Sequence, residues 1–257
     1  MVGLLKPILR RFGYHVYKSS DERIAAGLRF RGGPCSVNVT PQSELTARGV
    51  IEMIRDRGLR DLNILDLGCG SGAIGLLIFK ELGGDGTVAS VAFGDINIFN
   101  IRATEWAIRA NGFGSLLGTR LRTYLTDALS GVPAQSQFDL IVSNPVHLDA
   151  EAGAGMDRSP VELGTYDPGW KFHRDFYAAA DRYLSPRGEI WFLENGAYSK
   201  EPTLKPFPNA NPRLGYVEHF PDRTDPACFW MISRLRRPEV RVAVPATDRA
   251  VAAAFGA

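Results

Sequence analysis

The residues with the clearest chemical meaning are Asp66-Leu67-Gly68-Cys69-Gly70-Ser71-Gly72. They follow a short apolar stretch and open a helix-like one. Glycines let the backbone turn tightly and approach a ligand closely, and the helix start that follows presents free N–H groups. Two further acids stand where later strand-like stretches end: Asp95 in VAFGDIN and Asp127 in TYLTD. A dinucleotide loop spaces its glycines as GxGxxG, with the acid some twenty residues on. Here the spacing is GxGxG, and Asp66 lies two residues before the first glycine, where it would repel a pyrophosphate. A cationic ligand carrying an amino group and a sulfonium would be attracted to it. Asp95 is placed to accept hydrogen bonds from both hydroxyls of a ribose, with Ile96 beside it, and Asp127 to meet an adenine amine.

A second cluster is Asn144-Pro145-Val146-His147, at the end of the apolar stretch FDLIVS. Imidazole both stacks and exchanges a proton near neutral pH, so a substrate needing deprotonation falls within reach of His147. Trp170, His173 and Tyr166 are further candidates to line an acceptor pocket, although aromatics near a helix start more often fill a core.

These groups need a scaffold that brings strand ends together. Asn63–Leu67, Thr87–Phe93, Leu121–Leu125, Phe138–Ser143 and Glu189–Glu194 read as strands, and Ile98–Ala110 and Phe172–Tyr183 as helices, with AIGLLIFKEL a helix after the glycine loop. Alternating strands and helices imply βαβ units, hence an α/β fold with a mostly parallel sheet. Tyr216–Phe220 and Phe229–Leu235 have no helix between them and form an antiparallel hairpin at the sheet edge. Glu44–Arg57 reads as a helix packed on the sheet, and residues 12–39 hold short strand or loop elements. The organisation expected is a helical or cap extension over 1–61, a ligand-binding domain over 62–237 and a tail over 238–257.

The loop resembles that of the S-adenosylmethionine-dependent methyltransferases with a Rossmann-like sheet, over roughly residues 36–235. FDLIVSNP is similar to the branch that methylates planar nitrogens, whose motif is Asn-Pro-Pro-Tyr. The resemblance implies a Rossmann-like seven-stranded, mostly parallel sheet with an antiparallel C-terminal hairpin and helices on both faces. It implies S-adenosyl-L-methionine as cofactor, with Asp66 at its amino group, Gly68, Gly70 and Gly72 shaping the wall, Asp95 and Ile96 at the ribose and Asp127 at the adenine. Asn144 and Pro145 would accept hydrogen bonds from the target NH₂ and hold its lone pair toward the methyl group, with Asn144 also bordering the cofactor. Val146 departs from the second proline and His147 from the aromatic, so His147 would stack or remove a proton. The sulfonium carries its own activation, so no metal is expected.

TPQSEL (40–45) resembles the Pro-x-x-Glu stretch of the glutamine-methylating members, and FHRDFYAAADRYLSPRG and IWFLENG resemble their later helix and strand. Their separate helical recognition domain needs more than the 35 or so residues up to Cys35. Asp149–Gly169 reads as a lid. Thirty basic against twenty-eight acidic residues give a net charge of +2, without the basic excess of a strong nucleic-acid binder. Arg10, Arg11, Lys18 and RLRR (234–237) form only thin clusters. A small-molecule acceptor is therefore favoured, with a protein amide or a nucleic-acid amine as the alternatives and a catalytically silent cofactor-binding module as a third. Cys35, Cys69 and Cys228 are too few and too scattered for a disulfide framework or zinc site. With no signal peptide and no long apolar run, the expected place is the cytoplasm.

Overall fold

The computed structural model describes residues 22–32, 39–146, 167–197, 199–223 and 225–236. His147, Tyr166, Cys35, Arg10, Arg11, Lys18, the tail from 238 and most of the expected lid lie outside these residues.

Nine strands and six helices are present among them. A hairpin of β1 (Glu22–Ala25) and β2 (Leu28–Arg31) precedes α1 (Pro41–Asp56). Then follow β3 (Leu62–Leu67), α2 (Ala73–Leu82), β4 (Val88–Asp95), α3 (Ile98–Ala110), β5 (Leu121–Leu125) and β6 (Phe138–Ser143). The last part is α4 (Lys171–Ala179), β7 (Leu184–Asn195), short α5 (Glu201–Leu204) and α6 (Pro206–Ala210), β8 (Leu214–Pro221) and β9 (Cys228–Leu235).

Seven strands form one sheet in the order β5-β4-β3-β6-β7-β9-β8. The first five in this row run parallel, and β9 pairs antiparallel with both β7 and β8. The closing hairpin therefore stands at the sheet edge, as the sequence suggests, with β9 inserted against β7. From β3 the chain steps outward through β4 to β5, then returns to the other side of β3 with β6. That reversal opens a crevice at the carboxyl ends of β3 and β6, where open α/β sheets take their ligands.

The central strands are apolar on both faces because both faces are covered. Ile64, Phe93, Val142 and Trp191 pack toward α1, α2 and α3, while Leu65, Ala92, Ile141 and Phe192 pack toward α4 and the segment Ala128–Val132. Alternate residues of each strand thus serve opposite layers. Helix α1 starts at Thr40, whose hydroxyl accepts from the Ser43 N–H while the Ser43 hydroxyl accepts from the Thr40 N–H. That reciprocal cap sets the start three residues ahead of the sequence reading. β7 begins at Leu184 rather than Glu189 because its first residues pair with Phe138 at the far end of β6. No helix among the described residues is long and apolar enough to cross a membrane.

Candidate functional site

The parallel register fixes which strand ends meet. Leu67 stands opposite Gly94 on one side and Ser143 on the other, and Asp95 stands opposite Leu125. The glycine loop, Asp95, Asp127 and Asn144 therefore leave four adjacent strands at the same edge of the sheet.

The loop is held from below. The Gly68 and Cys69 N–H groups both donate to the Gly94 carbonyl, at 2.8 and 3.0 Å. The Ser143 hydroxyl donates to the Leu67 carbonyl at 2.7 Å. Gly72 sits at the start of α2 with φ +77°, and a Cβ there would lie 2.6 Å from the Thr104 methyl group. Both the left-handed backbone and the close approach of α3 demand glycine at this point. Thr104 also donates its hydroxyl proton to the Gly70 carbonyl at 3.1 Å, so α3 braces the loop.

Asp66 is fully buried behind the loop. One carboxylate oxygen accepts from the Gly75 N–H at 2.8 Å, and the other is buried with no hydrogen-bond partner. Burial raises its pKa to about 7, against the Gly75 hydrogen bond and with help from nearby Asp95. Asp95 is also buried, and its two oxygens accept from the N–H groups of Gly70 (2.9 Å) and Asn97 (2.8 Å). Burial raises its pKa too, opposed by these bonds and by those from Asn100 and Ile96. Asp95 thus clips the glycine loop to the start of α3, a role that the sequence did not signal. Asp127 is exposed after β5 and lies 3.6 Å from the Lys171 ammonium. Asn144 is half-buried at the end of β6 and Pro145 is buried. Cys69 is buried, and burial raises its thiol well above the ordinary range, so it fills space as a protonated group.

On the acceptor side, His173 and Trp170 fill the core, the commoner place for such residues at a helix start: His173 is 0% exposed and Trp170 8%. The reason is electrostatic. His173 Nδ1 lies 2.6 Å from Asp167 Oδ2, and Nε2 lies 3.1 Å from Glu194 Oε1. Burial disfavours the charged ring, but Glu194 and Asp167 outweigh it and raise the pKa to about 9. A buried imidazolium is therefore sandwiched between two buried carboxylates. Sequence reasoning missed Asp167 and Glu194; the signal was an acid in the middle of the apolar run IWFLENG, which burial obliges to find a partner.

Residues 46–156 match the family model of the methyltransferase small domain. A release factor glutamine methyltransferase of Bordetella pertussis is 32% identical over 165 residues, covering 61% of this chain and 55% of that one. A tRNA1(Val) (adenine(37)-N6)-methyltransferase of Aeromonas hydrophila is 30% identical over 143 residues, covering 54% of this chain and 53% of that one. The chain thus spans about half the length of these curated relatives. Among solved structures, a ribosomal protein L11 methylase from Lactobacillus delbrueckii superposes with a TM-score of 0.53 at 18% identity, covering 77% of this chain and 81% of that one. A T. Thermophilus 16S rRNA N2 G1207 methyltransferase, in complex with AdoMet and guanosine, gives 0.53 at 17%, over 84% of this chain and 50% of that one. Over residues 46–156 the chain is thus similar to the methyltransferase small domain, on a sheet whose fold these methyltransferase structures share.

Proposed function

We propose that this chain transfers a methyl group from S-adenosylmethionine to a planar NH₂ nitrogen, an amide or an exocyclic amine. The observation that carries the reading is the convergence of Asp66, the glycine loop, Asp95, Asp127 and Asn144-Pro145 on one sheet edge at the point where strand order reverses. The donor set suits the cofactor: a buried Asp66 oxygen without a hydrogen-bond partner and a second carboxylate beside it answer a ligand that carries positive charge. When bound, S-adenosylmethionine supplies a methyl group already activated on sulfonium. The glycine loop takes its amino-acid end, Asp95 with Ile96 the ribose and Asp127 the adenine amine. Asn144 and Pro145 accept hydrogen bonds from the acceptor NH₂ and aim its lone pair, and His147 stacks on the acceptor or takes its proton. Much of the rate gain comes from that alignment.

The relatives' names point to acceptors that are protein amides or nucleic-acid amines. The expectation of a small-molecule acceptor rested in part on the near-neutral charge, and nothing in these relatives supports it. The test is transfer of labelled methyl from S-adenosylmethionine into a cell lysate split into protein, nucleic-acid and small-molecule fractions. Label in protein or nucleic acid is expected. Label confined to small molecules would restore the earlier expectation, and no enzyme-dependent label in any fraction would contradict the reading.

Asp66 gives a pH dependence. Below its pKa of about 7 the carboxyl is neutral; above it, the carboxylate attracts a cation. Cofactor affinity should therefore rise from pH 5.5 to 7.5, by about tenfold for each unit by which binding lowers that pKa. Calorimetric titration checks this, and Asp66→Asn should flatten the profile. An equally steep profile in the variant would place the titrating group elsewhere.

A further inference from the structure

We propose that Asp167, His173 and Glu194 form a positioning centre, a buried ion cluster that holds the Asn144-Pro145 turn against the start of α4. The inference rests on the reading that this turn orients the acceptor.

The placement comes from strand register. Ser143, the last residue of β6, stands opposite Phe192 on β7, so Asn144 and Pro145 leave β6 beside the stretch of β7 that carries Glu194, two residues beyond Phe192. Glu194 shares the strand face of Phe192, which packs on α4. On α4, His173 bonds Glu194 through Nε2 and Asp167 through Nδ1. Asp167 also accepts from the N–H groups of Phe172 (2.6 Å) and His173 (3.2 Å), and so caps the helix. The cluster therefore joins the start of α4 to β7, the strand beside β6.

Its energetics suit positioning better than stability. A buried ion pair recovers its desolvation cost only with close geometry, and apolar replacements of similar volume are often as stable. What the cluster supplies is one fixed arrangement. It holds Trp170 in a left-handed conformation with φ +56°, directly after Gly169 at +61°. That conformation is strained for a residue with a Cβ, so the surrounding contacts must hold it. Trp170 meets the His173 ring edge-on at 5.2 Å. Both ring nitrogens of His173 are engaged and the ring is fully buried, so it has no site from which to take a proton from an acceptor.

The other titratable groups around the cluster stay out of the relevant range. Tyr177 of α4 faces Glu194, and burial raises its hydroxyl well above the ordinary value. Cys228 of β9 also faces Glu194 and is raised to about 12. Loss of the His173 proton is then the change that disturbs the cluster between neutral pH and pH 10.

The test uses protein labelled with ¹⁵N at asparagine and histidine, followed by NMR from pH 7 to 10. The His173 ring should titrate near 9, and the Asn144 amide signals should move with the same midpoint. Asn97, beside Asp95 on the cofactor side, should not move. In His173→Gln the Asn144 signals should be displaced and insensitive to pH over this range, with the dissociation constant for S-adenosylmethionine within about twofold. Asn144 signals that stay still while His173 titrates would overturn the proposal. So would a variant in which Asn97 and Asn144 shift alike and cofactor affinity falls. If His173→Gln does not fold, the wild-type titration alone decides. A wild-type protein that shows the coupling but binds no S-adenosylmethionine would contradict the functional reading and leave the cluster's role standing.

Discussion

Asn144→Ala is expected to lower kcat for methyl transfer by about 10²–10³-fold, with the dissociation constant for S-adenosylmethionine within about twofold. Fixed hydrogen-bond partners for a reacting group are worth that much when one is deleted, and a misplacement of about 1 Å alone costs on the order of 10²-fold. The backbone offers no substitute for the lost side-chain oxygen. Ser143, just before it, is anchored to the Leu67 carbonyl, and Pro145, just after it, has no N–H and a fixed φ. The turn should therefore keep its shape in the variant while losing one acceptor of the target NH₂. The measurement is single-turnover transfer into the labelled lysate fraction, beside calorimetric titration with the cofactor. Collapse of cofactor binding instead would show that the division between cofactor and acceptor ends of the site is wrong.

Asp95→Ala should do the reverse and raise the cofactor dissociation constant by about tenfold or more, as expected if two hydrogen bonds to a charged group are lost. The structure adds a second consequence. Asp95 accepts from Gly70 and Asn97, so the variant also releases the glycine loop from the start of α3. A loss of about 1–3 kcal/mol in stability should accompany the loss of affinity, lowering the melting temperature by several degrees. Calorimetric titration and thermal unfolding together check this. Unchanged affinity would remove Asp95 from the ribose, whereas unchanged stability would remove it from the loop.

Local backbone chemistry made much of this legible in the sequence. Gly68, Gly70 and Gly72 announce a loop because each carries a positive φ that most residues avoid. Asp95 and Asn144 announce strand ends because apolar runs stop there. The closing hairpin was legible because too few residues separate its strands for a helix. Features fixed by distant partners were not legible. The extra length of β7 comes from pairing with Phe138, and the β1–β2 hairpin is tied to α3 by Asn111, whose side chain both accepts from Arg29 N–H and donates to Arg29 O. The buried charge pairing of His173 was not legible because the partner Glu194 lies 21 positions away on β7. Asp66 reads in the sequence as an anchor for a cationic ligand, and only the fold reveals that one of its oxygens accepts from the Gly75 N–H while the other is buried without a hydrogen-bond partner.

The most direct measurement is calorimetric titration of the protein with S-adenosylmethionine, with NAD as the comparison. The site built by Asp66, the glycine loop and Asp95 predicts saturable 1:1 binding of S-adenosylmethionine, weakened about tenfold or more in Asp95→Ala, and no saturable binding of NAD. Binding of NAD with none of S-adenosylmethionine would contradict the account at its base.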